Sequence, residues 1–115
     1  MQFIRTGLRA AALIALVGAV VGVPAPASAA GPIINIRSAL NNKCLEIRDS
    51  NVNNGAYVGM WNCWGGATTQ WYWDGDLIRS NLNHKCLEVR DSNIENGAYV
   101  SMWDCWGGAT TRWYW

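Results

Sequence analysis

The sequence is poor in histidine and has no short metal-ligand spacing. His84 is the only histidine in the chain, and neither a C-x-x-C nor a His-x-His motif occurs. Zinc sites are built from several Cys or His ligands at short spacing, and hydrolytic triads need a histidine base. We therefore expect no metal, no cofactor and no catalytic site, and we interpret His84 as a surface turn residue.

Positive charge is also sparse. The chain has 9 Lys and Arg and 8 Asp and Glu; two of the basic residues, Arg5 and Arg9, lie within residues 1–30, whereas every acidic residue lies after residue 30. Residues 31–115 thus carry a formal charge of 7 − 8 = −1 and contain no basic block. Because nucleic-acid binders neutralise phosphates with clustered Lys and Arg, we expect no nucleic-acid partner.

No apolar run is long enough to span a bilayer, which takes about 20 residues. The longest, Ala10–Val23, follows a basic start and precedes Ala27-Ser28-Ala29, a small-residue cleavage site. This pattern predicts a secretory signal peptide at residues 1–30, cleaved near Ala29-Ala30. The mature protein is expected to be secreted and to have no membrane span.

Tryptophan and cysteine are abundant in the remainder. All 8 Trp, all 4 Tyr and all 4 Cys lie after residue 30, in a length that suits one small domain. An even number of cysteines in a short secreted chain favours disulfides. The four are Cys44, Cys63, Cys86 and Cys105.

The domain is an internal duplication. Residues 36–73 and 78–115 align at an offset of 42 with 30 of 38 positions identical. Such self-similarity indicates two copies of one structural unit. We place repeat 1 at about 36–77 and repeat 2 at about 78–115, within one domain at 31–115.

The duplication predicts the disulfide pairing, since identical units should close identical loops. Cys44–Cys63 and Cys86–Cys105 meet this condition, whereas the other two pairings would cross-link the repeats. Each loop contributes about 3 kcal/mol by the loop-entropy estimate.

Short strands and turns account for each repeat. Cys44–Ile47 alternates apolar and polar residues, Tyr57–Trp61 and Gln70–Trp73 are strand-like, and Asn53-Asn54-Gly55 is typical of a turn. No window sustains helical periodicity. We predict an all-β domain in which Trp71 is a core anchor. Arg48-Asp49 and Arg90-Asp91 are interpreted as solvated strand ends with local charge pairing.

Both repeats carry a Cys-Leu-Glu start, a Trp-x-Cys, a Gly-Gly-Ala and a closing Trp. This combination resembles one repeat of the ricin B-type lectins, whose fold is a β-trefoil of three repeats. The resemblance implies an all-β, β-trefoil-like fold with a disulfide in each repeat, incomplete because two of three repeats are present. It also implies binding of glycans or polysaccharide.

The resemblance places a sugar site in each repeat. An acidic residue would accept hydrogen bonds from sugar hydroxyls, and an aromatic ring two residues before the second cysteine would stack on the sugar. Threonines stand where the family has an Asn-Gln pair, and a hydroxyl reaches less far than an amide. The carbohydrate-binding candidates are Glu46, Trp61 and Thr69 in repeat 1, and Glu88, Trp103 and Thr111 in repeat 2.

Two functions follow from these residues. The first is a secreted lectin-like protein with a shallow glycan site in each repeat. The alternative is a non-catalytic trefoil scaffold for protein contact, an inhibitor or surface-assembly protein, whose sugar sites are degenerate. Trp64 and Trp106 either extend the aromatic surface for a glycan or, as we favour, cover the open barrel or contact another chain.

The repeat count also predicts self-association. Each repeat supplies two of six barrel strands, so two repeats leave open strand edges, which are association sites. Three chains would complete two trefoils. A dimer with rearranged strands and a truncated product without a stable fold are the alternatives.

Overall fold

The structure is a computed structural model that describes residues 30–115. Except for Ala30, the predicted signal peptide lies outside these residues. The described part contains six four-residue strands and four single 3₁₀ turns. The strands are β1 (Cys44–Ile47), β2 (Val58–Trp61), β3 (Trp71–Asp74), β4 (Leu77–Ser80), β5 (Cys86–Val89) and β6 (Val100–Trp103).

The strands form two antiparallel sheets. β1 and β2 make a hairpin, and β3, β4, β5 and β6 make a four-stranded sheet in chain order. The β3–β4 hairpin crosses the boundary between the repeats, and its turn contains Gly75 at φ 62°, a conformation that glycine adopts without steric cost. The predicted all-β class is confirmed.

Direct backbone pairing joins the two repeats. Gly55 N–H donates to Met102 O at 2.7 Å, and Met102 N–H donates to Ala56 O at 3.0 Å. Ala56 and Met102 are both buried in the common core. The turn that ends in Gly55, expected from Asn53-Asn54-Gly55, therefore also holds repeat 1 against β6 of repeat 2.

Trp71 anchors this core, as predicted. Its side chain is fully buried, and its indole Nε1–H donates to Leu45 O at 2.9 Å. Trp113, its equivalent in repeat 2, makes the same bond to Leu87 O but is only half-buried. A large apolar ring with a satisfied N–H is well suited to the centre of a small domain.

Both disulfides join residues within one repeat. Cys44 is bonded to Cys63 and Cys86 to Cys105, each with a Cα–Cα distance of 5.2 Å. The predicted pairing is confirmed. Each bond ties the start of one strand to the loop that follows its partner strand, and so fixes that loop beside the hairpin.

Strand edges remain unpaired where a further repeat would lie. β4 pairs with β3 along its whole length, but the equivalent of β4 in repeat 1, residues 35–38, has no strand on that side within residues 30–115. Among residues 113–115, the equivalent of β3, only Trp113 has a backbone hydrogen bond in the described structure, from its N–H to Asp76 O. Tyr114 and Trp115 are 97% and 103% exposed.

Candidate functional site

Strand register places the acidic candidate and the aromatic candidate of each repeat on one face. Glu88 lies opposite Ser101 in the β5–β6 pair, and Trp103 is two residues along from Ser101. Side chains two apart on a strand share a face, so Glu88 and Trp103 are diagonal neighbours. The β1–β2 pair puts Glu46 and Trp61 in the same relation.

A 3₁₀ turn brings a hydroxyl to each carboxylate. Ala109–Thr111 forms this turn in repeat 2, and Thr110 Oγ1 donates to Glu88 Oε2 at 3.3 Å. Thr68 Oγ1 donates to Glu46 Oε2 at the same distance in repeat 1. Glu88 is 9% exposed and has no other side-chain hydrogen bond or ion pair among the described residues. A carboxylate has about four acceptor positions, so most of its capacity remains available.

The tryptophan after the second cysteine lies against a glycine. The six-membered ring of Trp106 occupies the space that a side chain on Gly108 would fill, and Trp64 does the same at Gly66. Both tryptophans keep more than half of their surface exposed, 59% and 58%. The Gly-Gly pair in the loop thus positions a second aromatic surface in each repeat.

In repeat 2 these groups surround one cavity of about 230 Å³. Asp91 and Ser92 complete its wall, both in the left-handed backbone region at φ 56° and 52°. The cavity is lined by Glu88, Asp91, Ser92, Trp103, Trp106 and Thr110. It combines two carboxylates and two hydroxyls with two indole rings.

The remaining two site candidates, Thr69 and Thr111, have fully buried side chains. Thr69 Oγ1 donates to Gly66 O at 2.9 Å and Thr111 Oγ1 to Gly108 O at 2.8 Å. These two hydroxyls hold the glycine loop from inside. The hydroxyls that face the carboxylates belong to the preceding residues, Thr68 and Thr110.

The two repeats differ beside the carboxylates. Gly59 lies opposite Glu46, whereas Ser101 lies opposite Glu88. Ser101 is 1% exposed, and its Oγ has no hydrogen-bond partner among the described residues. Glu46 is less buried than Glu88, so the second site is the more enclosed of the two.

Sequence reasoning did not name Asp91 as a site residue, and of the two adjacent threonines it chose Thr111 and not Thr110. Asp91 was expected to pair with Arg90, but no ion pair within the described residues includes either one. For Trp106 the sequence left two interpretations open, an aromatic surface for a glycan or a cover for the barrel or another chain, and its ring lines this cavity. The Trp-Gly-Gly sequence motif could have indicated the position of Trp106, because only glycine at residue 108 leaves room for the indole ring.

Comparisons with known proteins agree with this fold. The family model of the ricin-type β-trefoil lectin domain matches residues 32–115. A designed three-fold symmetric protein, ThreeFoil, aligns with a TM-score of 0.63 at 20% identity, over 73% of this chain and 61% of that one. The agglutinin of Abrus precatorius aligns with a TM-score of 0.63 at 27% identity, over 73% of this chain and 32% of that one. The chain therefore spans less than two thirds of the length of either protein. Because the family model matches most of the chain, the protein belongs to the ricin-type β-trefoil lectin domain family.

Proposed function

We propose that the protein is a secreted, non-catalytic carbohydrate-binding protein with one shallow glycan site in each repeat. The observation that carries the proposal is the cavity of repeat 2, where Glu88 faces Trp103 and Trp106. Sugars present hydroxyl groups and an apolar C–H face, and this cavity offers acceptors and aromatic rings for both.

Each group has a separate part in binding. The free acceptor positions of Glu88 take hydrogen bonds from two sugar hydroxyls, while Thr110 holds the carboxylate in place. Trp103 packs on the C–H face, and Trp106 forms a second wall. At about 230 Å³ the cavity is smaller than the ~300–1,000 Å³ of sites for drug-sized ligands, which suits one sugar residue.

Repeat 1 offers an equivalent but more open site. Glu46, Trp61, Trp64 and Thr68 correspond to the cavity residues of repeat 2. Two shallow sites on one chain bind weakly on their own and strongly together on a polysaccharide, because the second contact is intramolecular. Thr69 and Thr111 support the loops from beneath, so their hydroxyls are not part of the proposed contact surface.

Secretion follows from the sequence and is supported by the disulfides. Disulfides persist in oxidising compartments, and all four cysteines of the described residues are bonded. Residues 1–30 are proposed to be removed as a signal peptide, leaving 31–115 as one lectin-like domain. Within the described residues no helix has the length and apolarity needed to cross a membrane.

Self-association is the second part of the proposal. Residues 35–38 are equivalent to β4 and residues 113–115 to β3. Within the chain β3 and β4 pair with each other, whereas these two equivalent segments have no such partner among the described residues. A second copy offers the same two edges, and three chains sharing two barrels would satisfy them all. Sedimentation of residues 31–115 should then show a species larger than a monomer at micromolar concentration, and a compact monomer would contradict it.

A glycan array tests the function. Folded residues 31–115 should give a reproducible signal for a subset of glycans, and Trp61→Ala/Trp103→Ala should lose it. Trp64 and Trp106 remain in this variant, so loss of signal points to the stacking rings. A parent protein that binds no glycan would support the alternative, a trefoil scaffold for protein contact.

A further inference from the structure

A second cavity lies between the repeats, away from the proposed sugar sites. It measures about 530 Å³ and takes its wall from both repeats. We call it the inter-repeat groove. It is lined by Arg48, Tyr57, Val58, Arg90, Ala98, Tyr99 and Val100. Three repeat-equivalent pairs contribute, so the duplication places two arginines and two tyrosines around one space.

The two arginines of the groove have no carboxylate partner. Among residues 30–115 the ion pairs involve Arg79, Lys85 and Arg112, and neither Arg48 nor Arg90 takes part. Asp91, which follows Arg90, lines the sugar-site cavity and not the groove. The strand end therefore separates the two charges: the carboxylate faces one cavity and the guanidinium faces the other.

Stacking holds one of these guanidinium groups in position. The Arg90 guanidinium carbon lies 5.1 Å from the centroid of the Tyr57 ring, within the range of a cation–π contact. Stacking uses the face of the guanidinium and leaves its N–H edge free to donate. A guanidinium held in this way loses less entropy when it binds a planar or tetrahedral oxyanion.

The chemistry of the groove selects an anion. Residues 31–115 carry a net charge of −1, so the two arginines form a local feature and not part of a basic surface. Two guanidinium groups can bind one or two oxyanion groups, but they are too few to neutralise a long polyanion. Val58 and Val100 add apolar surface beside the charges, which suits a group attached to a larger organic ligand.

We propose that the inter-repeat groove binds the sulfate or carboxylate group of an acidic glycan. The choice of a glycan as the carrier rests on the proposed function, whereas recognition of the anion rests on the groove itself. The site is separate from Glu88, whose negative charge would repel such a group. The protein thus has neutral-sugar sites in the repeats and an acidic-sugar site between them.

Calorimetric titration of residues 31–115 at two salt concentrations tests this assignment. The probes are three disaccharides, one neutral, one with a sulfate ester and one with a uronic acid. The variants are Arg48→Gln/Arg90→Gln, Arg48→Gln alone, and Glu88→Gln/Trp103→Ala. Arg112→Gln is the matched control, because Arg112 is 56% exposed and lies outside the groove.

We expect at least one acidic probe to bind the parent about tenfold or more tightly than the neutral one, with the advantage reduced by salt. Arg48→Gln/Arg90→Gln should remove the advantage, Arg48→Gln should reduce it, and Arg112→Gln should leave it unchanged. Which acidic probe binds identifies sulfate or carboxylate. Because Arg48 is exposed and unpaired, the single variant gives a reading even if the double variant folds poorly.

Equal binding of acidic and neutral probes by the parent, or an advantage that survives both arginine variants, would overturn the proposal. The proposed function has a different signature of failure. If neutral probes do not bind, while binding of acidic probes still requires the arginines, the proposed glycan sites in the repeats are contradicted and the proposed anion site in the groove is supported. Loss of the acidic advantage in Glu88→Gln/Trp103→Ala would place the anion in the sugar cavity and contradict the groove.

Discussion

The ring of Trp106 occupies the space that a side chain on Gly108 would fill. Gly108 itself has ordinary extended backbone angles, φ −76° and ψ 164°, which alanine adopts freely. The requirement for glycine at this position therefore comes from the tryptophan and not from the backbone. Residue 108 in effect positions a wall of the proposed sugar site.

Gly108→Ala should accordingly displace Trp106 without unfolding the domain. We expect weaker glycan binding, by about the same factor as in Trp106→Ala, and a thermal midpoint close to that of the parent. Glycan titration and thermal unfolding of both variants measure this. Gly66→Ala makes the same change in repeat 1, and it should leave the repeat 2 site intact. Unchanged binding by Gly108→Ala would mean that Trp106 does not contact the sugar.

Trp71 and Trp113 provide a comparison between a closed and an open part of the barrel. Both donate an indole N–H to a leucine carbonyl at 2.9 Å, but Trp71 is fully buried and Trp113 is half-buried. Trp71→Phe should lower the free energy of unfolding by about 2–3 kcal/mol, since it leaves a void and an unpaired carbonyl. Trp113→Phe should cost roughly 1 kcal/mol less.

Urea unfolding of the two variants at several protein concentrations tests this difference. An equal cost at both positions, increasing with concentration, would show that another chain buries Trp113. That result would support self-association at the edge formed by residues 113–115.

Ser101 has a buried hydroxyl without a partner among the described residues. Because an unsatisfied buried polar group costs about 1–3 kcal/mol, Ser101→Ala should raise the free energy of unfolding by about 1 kcal/mol. Ser80→Ala is the matched control. Ser80 is equally buried, but its Oγ accepts from Leu82 N–H at 3.0 Å, so its loss should destabilise. Denaturant unfolding that shows Ser101→Ala to be destabilising would mean that its hydroxyl has a partner in solution.

Asp104 links the two repeats. Lys85 Nζ donates to Asp104 Oδ1 at 2.8 Å, and Asn54 Nδ2, from repeat 1, donates to Oδ2 at 3.0 Å. The hydrogen bond from Lys85, with the second from Asn54, holds the pKa of Asp104 below its usual value. The folded-state pKa is thus lower than the unfolded one, so the stabilisation is present above about pH 4 and is lost as pH falls further.

Asp104→Asn should therefore flatten the acid side of the pH–stability curve. The effect should be small, because Asp104 is exposed to solvent and screened by salt. This effect is measured by the thermal midpoints of parent and variant between pH 2 and pH 7, a range that includes the unperturbed Asp pKa of about 3.9. Asn62 is the equivalent of Asp104 in repeat 1, where it accepts from Lys43 Nζ at 2.8 Å, so asparagine fits this environment. A parent curve with the same acid slope as the variant would contradict the assignment.

The duplication made most of the fold predictable. Identical units implied identical disulfides, and Trp71, predicted to be a core anchor, is fully buried. The site was harder to predict, because it depends on where adjacent side chains point. Thr110 and Thr111 are neighbours with the same side chain, yet one faces Glu88 and the other faces the loop interior. Composition and spacing do not distinguish them, since the 3₁₀ turn decides which hydroxyl faces outward.

The separation of Arg90 from Asp91 was missed for a similar reason. Asp91 lies in the left-handed region at φ 56°, which reverses the chain and sends consecutive side chains to different cavities. A charge pair that looked local in the sequence is therefore divided in space. Aspartate tolerates this backbone region better than most residues, but that preference is too weak to predict the turn from one sequence.

The central claim is that a carboxylate beside a tryptophan binds sugar in repeat 2. The most direct measurement is titration of a glycan identified on the array into the parent, Glu88→Gln and Glu46→Gln. Glutamine preserves the shape of the side chain but removes its charge and half of its acceptor capacity. We predict that Glu88→Gln weakens binding about tenfold or more at unchanged thermal stability, and that Glu46→Gln has a smaller effect because its site is more open. Binding that is the same in all three proteins would contradict the account.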